Sequence, residues 1–490
     1  MRTLDTVVVG GGVSGLIYAR ERAMRGDTVV LLEASDHVGG AVWSHTLEGI
    51  EANTGAEAFA IGGGNMLSLV KDLGLEEQVV SPATGSSFIV GDTHAYASPR
   101  NAVLGMPARP LAADVREALG FWGALRAWCE RFVPASRASE ESVTVAEFVT
   151  ARYGRKVLER LVAPIIRGVH SADPEKLELR AVMPTLPERV QALGSARKAI
   201  EEILEKRGAR SSSGSAVHSL APSMAELPKA LARDIEEHGG QIFTQTPALG
   251  LRASSADGTW TVTAGTRAAA FTREFKARSI VIATGPELAQ HLLSAPAPHI
   301  ASLIPLAPAT PVRLATLVLD NPELNAKPRG NGVLVAPAAT SIRAKAMTHA
   351  SAKWEHIHRA ANASKPGRAV VRLSYSPGED GELPGPEQFP WLAIDDAAAI
   401  FGMEPSDLSV ANWALTDWTG TMRQSGPGHT AALETLAHAL ERDTGAGAAL
   451  PHLELTGAWR AGNGLEAITR FTRELASRQR PTPHEERTHS

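Results

Sequence analysis

Six residues near the start, Gly10-Gly11-Gly12-Val13-Ser14-Gly15, and one acid, Glu33, have the types and spacing that hold a dinucleotide. Gly10 permits a tight turn, Gly12 lets backbone approach a pyrophosphate, and Gly15 lets a helix pack on a strand. Free amides at the helix start face the phosphate charge, and Ser14 can add a hydroxyl hydrogen bond. Glu33 stands where an acid binds the ribose hydroxyls of an adenosine. The text around these residues supplies the elements that must position them. Thr6-Val7-Val8-Val9 reads as a strand, Leu16 to Met24 as a helix stopped by Gly26-Asp27, and Thr28 to Leu32 as a second strand.

A second glycine pair follows the acid, in Ala34-Ser35-Asp36-His37-Val38-Gly39-Gly40, and then comes Asn53-Thr54-Gly55-Ala56-Glu57-Ala58-Phe59. A nicotinamide enzyme has no use for that pair. A flavin that continues deeper into the protein does, because backbone must approach it again. The opening resembles the amine-oxidase-like FAD family, and the Gly55–Phe59 box narrows the resemblance to the protoporphyrinogen and coproporphyrinogen oxidases of haem synthesis.

The chain has 490 residues, 43% apolar and 21% charged, with a net charge of −4. That is the composition of a soluble globular protein of more than one domain, with nothing to draw nucleic acid. The single cysteine, Cys129, rules out an intrachain disulfide framework and fits a reducing cytoplasm. Met1-Arg2 before an apolar run mimics a signal peptide, but that run carries the glycine fingerprint and no small-residue cleavage pattern. No apolar segment reaches the ~20 residues that cross a bilayer. The expectation is a cytoplasmic protein with peripheral membrane contact at most.

Further along, Met66 to Leu73 reads as a helix closed by Gly74, and residues 81–106 as short strands and turns. A helical region runs to about residue 210. Its clearest piece spaces Val115, Leu119, Trp122, Leu125, Cys129 and Phe132 by three and four, a stripe read as core. Helices are expected over Val145–Tyr153 and Val157–Ile166, and a linker over Arg210–Ser215. The helix Met224–His238, the turn Asp257-Gly258 and the strand Ser279–Ala283 return the chain to α/β text.

Other stretches keep the order of the porphyrinogen oxidases almost to the end: Gly105-Met106-Pro107, Gly168-Val169-His170-Ser171-Ala172-Asp173, Lys345-Ala346-Met347-Thr348, Lys353-Trp354, and Trp418 eleven residues before His429. The resemblance implies an α/β fold. A Rossmann-like FAD-binding domain of glutathione-reductase/amine-oxidase type takes residues 1–80, 214–295 and 448–478. An α+β substrate domain takes 81–107 and 296–447, a helical insertion domain 108–213, and a flexible tail 479–490. Besides the fingerprint, it places Ala34, Gly40, Ala41, Gly55, Ala56, Glu57, Ala58, Ala248, Ala283, Trp418, Gly457, Asn463, Gly464 and Leu465 at FAD. The departures are Ala41 where the family has Lys or Arg, no Arg near Val90-Gly91 where relatives hold a propionate, Pro222-Ser223-Met224 for Gly-Gly-Leu, and Arg423-Gln424-Ser425 for Pro-Gln-Tyr.

No Cys-x-x-Cys or His-Glu-x-x-His occurs, and no metal is expected; His349, His356 and His358 read as surface residues, and Asp173, Asp320 and Glu355 as solvated or structural. The family chemistry is removal of hydride from a porphyrinogen by FAD, loss of a proton, and reoxidation by O2 to hydrogen peroxide, three times per porphyrin. The base stays unassigned. Coproporphyrinogen III fits best and protoporphyrinogen IX is its close sibling, with a functional link to ferrochelatase. A flavin amine oxidase, a carotenoid desaturase or a non-catalytic flavin- or porphyrin-binding protein are the alternatives. Arg100, Arg167, Lys345 and Arg423 are the candidates for substrate carboxylates, Arg100 first because it lies closest to the missing arginine.

Overall fold

The computed structural model describes residues 2–134, 143–210, 217–266, 269–378, 381–445 and 447–478; the expected linker beyond Arg210 and the expected tail lie outside them. Leu4–Val9 pairs in parallel with Val29–Leu32 on one side and with the end of Ala269–Ile282 on the other. Gln241–Phe243 and His452–Leu455 add parallel partners further out. Val8, Leu31 and Val281 face a cluster shared with the helices Val13–Ala23, Glu226–Glu237 and Leu465–Ser477. Val7, Val9, Val30 and Leu32 face the opposite cluster, which contains Trp260, Val262 and Leu292. A parallel sheet covered on both faces requires such unbroken apolar runs. Asp257-Gly258, with Gly258 at φ +63°, turns Ala248–Ser254 into Thr259–Thr266 in the antiparallel part of this sheet.

The second sheet runs in the order Val410–Arg423, Ala309–Asp320, Arg368–Tyr375, Ala346–His349, Gly332–Val335, Ser87–Val90, Ala95–Ala97. Along Arg368–Tyr375 the side chains alternate. Val371, Leu373 and Tyr375 enter a core with the helix Trp391–Phe401, which sends Arg372 and Ser374 to the other face. That other face is the one turned toward the first sheet and the helical region.

The helical region packs around Phe148, Tyr153, Leu161 and Ile166. Val145–Tyr153 is a helix as expected, opened by a capping box in which Thr144 Oγ1 and Glu147 serve each other's backbone. The stripe from Val115 to Phe132 is only half core. Val115 and Leu119 are buried, but Trp122 is 75% and Phe132 70% exposed. Gly120, at φ +70°, breaks the helix inside Ala113–Trp128 and rotates its phase, so Gly123, Ala124 and Ala127 take the buried side. His349 also departs from its surface reading: it is 1% exposed and packs edge-on to Phe401. No described helix is long and apolar enough to cross a membrane.

One tie crosses the ends of the chain. The helix Asn65–Asp72 starts at Gly64 without a cap of its own, and Glu466 supplies one. Its carboxylate accepts from Asn65 N at 3.1 Å, Asn65 Nδ2 at 2.6 Å and Met66 N at 2.8 Å. Glu466→Ala should cost about 1–2 kcal/mol locally. Hydrogen exchange at the Asn65 and Met66 amides should then quicken about 5- to 30-fold. Unchanged exchange there would remove Glu466 as the cap.

Candidate active site

The three fingerprint glycines meet three different surroundings. A Cβ on Gly10 (φ +105°) would lie 2.8 Å from Ala283 O, and one on Gly15 would lie 1.9 Å from Gly10 O. A Cβ on Gly12 would touch nothing within 4 Å. Gly12 sits extended (φ −67°, ψ 171°) as the residue before Val13–Ala23, whose first turn holds no acid. The open amides of Val13 and Ser14 therefore look into clear space with the positive end of the helix behind them. A phosphate fits there.

Glu33 closes the second strand and accepts from Gly11 N at 2.6 Å and from Ser35 N at 2.7 Å. The second glycine pair lies against the first: Gly39 bridges Gly12, Gly39 N donates to Gly11 O at 2.8 Å, and a Cβ on Gly40 would stand 3.3 Å from Gly12 Cα. Ala41 O then accepts from Ala56 N at 2.9 Å, and Gly55 is so close that a Cβ would come within 2.1 Å of that oxygen. The phosphate turn, the Gly39–Ala41 segment and the Gly55–Phe59 box thus form one continuous backbone wall. Ala34 is exposed just past Glu33, and Ala248 is half-buried on the far meander strand.

Arg372 and Trp418 of the second sheet clamp the box. Arg372 Nη1 donates to Asn53 O and Gly55 O, both at 2.9 Å, and Trp418 Nε1 donates to Thr54 O at 2.7 Å. Glu57 turns its carboxylate to this clamp. It accepts from Trp354 Nε1 at 2.6 Å and Arg372 Nη2 at 2.8 Å, and pairs with Lys353 Nζ at 2.9 Å. Burial alone would raise this acid, but the two cations and the indole hold it down at about 2. The sequence pointed to Lys353-Trp354 without giving it a task, and it passed over Arg372. The signal was present: a lone arginine inside Ala369-Val370-Val371-Arg372-Leu373.

At the other end of the site Trp459 Nε1 donates to Thr284 O at 3.0 Å, fixing Gly457 (φ +133°) beside Ala283-Thr284. Gly462 (φ +92°) and Gly464 (φ +108°) then swing the chain into Leu465–Ser477. A recess of about 340 Å³ is lined by Ala58 and Phe59 of the box and by Asn463, Gly464 and Leu465. The residues expected at a flavin are thereby collected from three distant stretches of chain.

The four candidate substrate cations are not brought together. Arg100 is exposed, with its amide on the Asp114 carboxylate at 3.1 Å. Arg167 is exposed on Ala163–His170. Arg423 forks onto Glu287 at 2.6 and 2.5 Å and donates to Ala307 O at 2.9 Å. Lys345 is half-buried and donates to Ser171 Oγ. Among the described residues no group of three or more His, Cys, Asp or Glu side chains is gathered as a metal would need.

Comparison with known proteins gives the same direction. Residues 13–464 match the family of flavin containing amine oxidoreductases. A coproporphyrinogen III oxidase of Mycobacterium tuberculosis is 27% identical over 94% of each chain. One from Staphylococcus aureus is 28% identical, over 42% of this chain and 44% of its own. Among solved structures, a protein from Exiguobacterium sp. 255-15, provisionally described as a protoporphyrinogen oxidase, superposes with a TM-score of 0.79 at 20% identity, covering 97% of this chain and 98% of that one. Cyclohexylamine oxidase from Brevibacterium oxydans follows the same fold, with a TM-score of 0.65 at 18% identity and the same coverage. The chain belongs to the flavin containing amine oxidoreductases, and its cofactor is FAD.

Proposed function

We propose that this protein aromatises a porphyrinogen to a porphyrin, with coproporphyrinogen III as substrate, O2 as acceptor and H2O2 as product. The observation that carries the reading is the clamp on the Gly55–Phe59 box. The box and the Lys353-Trp354 pair, two stretches shared with the porphyrinogen oxidases, lock onto each other through Glu57. The relatives that match over most of their length and carry the name coproporphyrinogen III oxidase support the same substrate class.

Bound FAD supplies the hydride acceptor and the route for electrons to O2. The chain does the rest by position. Arg372 and Trp418 hold the box rigid, and the half-buried sheet face beyond them, with Ser374, Ala346 and Leu334, offers a flat wall for a macrocycle. Porphyrinogen and porphyrin differ by six hydrogens, so each turnover consumes three O2 and releases three H2O2. The test is porphyrin fluorescence and peroxide measured together, with coproporphyrinogen III and protoporphyrinogen IX in parallel and putrescine and cyclohexylamine as amine controls. Three peroxides per coproporphyrin is the expected result. Peroxide from the amines without any porphyrin would replace this reading with amine oxidation.

A further inference from the structure

Nearly every deeply placed cation described above meets a carboxylate. Arg152 pairs with Glu130, Arg20 with Asp234, Arg22 with Asp27, Arg313 with Asp417, Arg368 with Asp320, and Arg372 with Glu57. Lys345 is different. Its ammonium donates to the Ser171 hydroxyl, and the surrounding protein strips enough water from it to push it down to about 8, with no acid close enough to oppose that fall. An ammonium held in a recess without a counter-charge is costly unless something anionic arrives.

The place of Lys345 says what would arrive. Lys345 N donates to Ser374 O at 2.9 Å, which registers it on the strand that carries Arg372. Three residues of strand separate Arg372 from that point, about 10 Å along the sheet face. The near end of this face is the clamp on the cofactor box. Across the face lies Ala163–His170, so close that a Cβ on Gly168 would come within 2.4 Å of Leu334 and 3.5 Å of Ala346. Ser171 ends that helix in the left-handed region, at φ +50°, and aims its hydroxyl back at Lys345. A cation is thus fixed at the far end of the wall that begins at the cofactor box.

We propose that Lys345, positioned by Ser171, is a receptor for a carboxylate arm of the substrate and so selects a carboxylate-bearing macrocycle. This rests on the porphyrinogen reading for the ring, while the receptor for the arm stands on the uncompensated ammonium. It also replaces Arg100 as first choice for that task, since Arg100 is solvent-exposed and Lys345 is in the seam.

The test uses the FAD-loaded full chain and its Lys345→Met variant, which keeps the length of the side chain and drops the charge. Binding of coproporphyrin III and of its tetramethyl ester is read from the perturbed flavin spectrum, and turnover of coproporphyrinogen III is read separately. Lys345→Met should retain its FAD, bind the free acid about 10- to 100-fold more weakly and bind the ester as the unaltered protein does. In turnover KM should rise by a similar factor with little change in kcat. Equal binding of the free acid by both proteins, or equal weakening toward acid and ester, overturns the receptor and leaves the porphyrinogen reading intact. An unaltered protein that binds the acid through Lys345 but never oxidises the porphyrinogen overturns the reading and leaves the receptor. If the unaltered protein binds no tetracarboxylate, both fall.

Discussion

Gly12→Val is expected to yield a folded protein that carries no flavin. At φ −67° and ψ 171° the backbone suits any residue, and a Cβ there meets nothing within 4 Å, so the chain itself has no objection to the substitution. The objection comes from the cofactor. The isopropyl group fills the clear space over the Val13 and Ser14 amides and denies the pyrophosphate its approach. Losing two charge-assisted hydrogen bonds of about 1.5–3 kcal/mol each corresponds to roughly 100- to 10,000-fold in FAD affinity. Absorbance at the flavin band against total protein measures it, with far-ultraviolet circular dichroism to show that the fold persists. Gly15→Ala is the contrasting variant. Its Cβ would sit 1.9 Å from Gly10 O, so it should disturb the strand–helix junction itself. A yellow Gly12→Val protein with one FAD per chain would sink the assignment of the turn.

The second large effect belongs to Glu57→Gln. The amide leaves Lys353 and Arg372, whose side chains are 24% and 15% exposed, facing each other across a site that has lost its only formal negative charge. Removing one member of such a buried arrangement costs about 3–5 kcal/mol. The pH dependence has a definite sign. A glutamate held at about 2, below its unfolded value, stabilises the fold above pH ~4.5, and that stability is lost as pH falls from there toward 2. Its size is about 3 kcal/mol. Urea unfolding followed by tryptophan fluorescence at pH 7 should show the deficit. Between pH 4.5 and 2.5 the unaltered protein should lose more stability than Glu57→Gln does. Equal midpoints at pH 7 would show that the clamp contributes nothing net.

What could be read from the sequence follows how local each constraint is. Strand, glycine turn, helix, strand and Glu33 form one contiguous unit whose partners lie within 30 residues, and pattern reasoning reaches that far. The Gly55–Phe59 box was visible as a motif, but the task of its glutamate was not, because Lys353, Trp354 and Arg372 lie some 300 residues away. The stripe from Val115 to Phe132 misled because a periodic pattern assumes one unbroken helix, and a single residue, Gly120 with positive φ, resets the phase. Arg423 looked like any free cation until Glu287, more than a hundred residues earlier, came beside it. Lys345 was visible as a candidate, whereas the feature that distinguishes it, a hydroxyl for a partner in place of an acid, exists only in three dimensions.

The parallel sheet has a consequence for the birth of this protein. Leu4–Val9 leaves the ribosome first, yet its central partner, the end of Ala269–Ile282, is translated roughly 270 residues later. His452–Leu455, which closes the other edge of that partner, comes about 170 residues after it. At about 5–20 residues per second, the nascent chain spends on the order of 20–90 s with a valine-rich strand edge waiting for its neighbour. Closing so long a loop is entropically affordable in the finished protein but slow in the growing one. The four-residue segment His452–Leu455 is therefore the latch of a co-translational race, and chains truncated just before it should reach the cell with an open, aggregation-prone sheet edge.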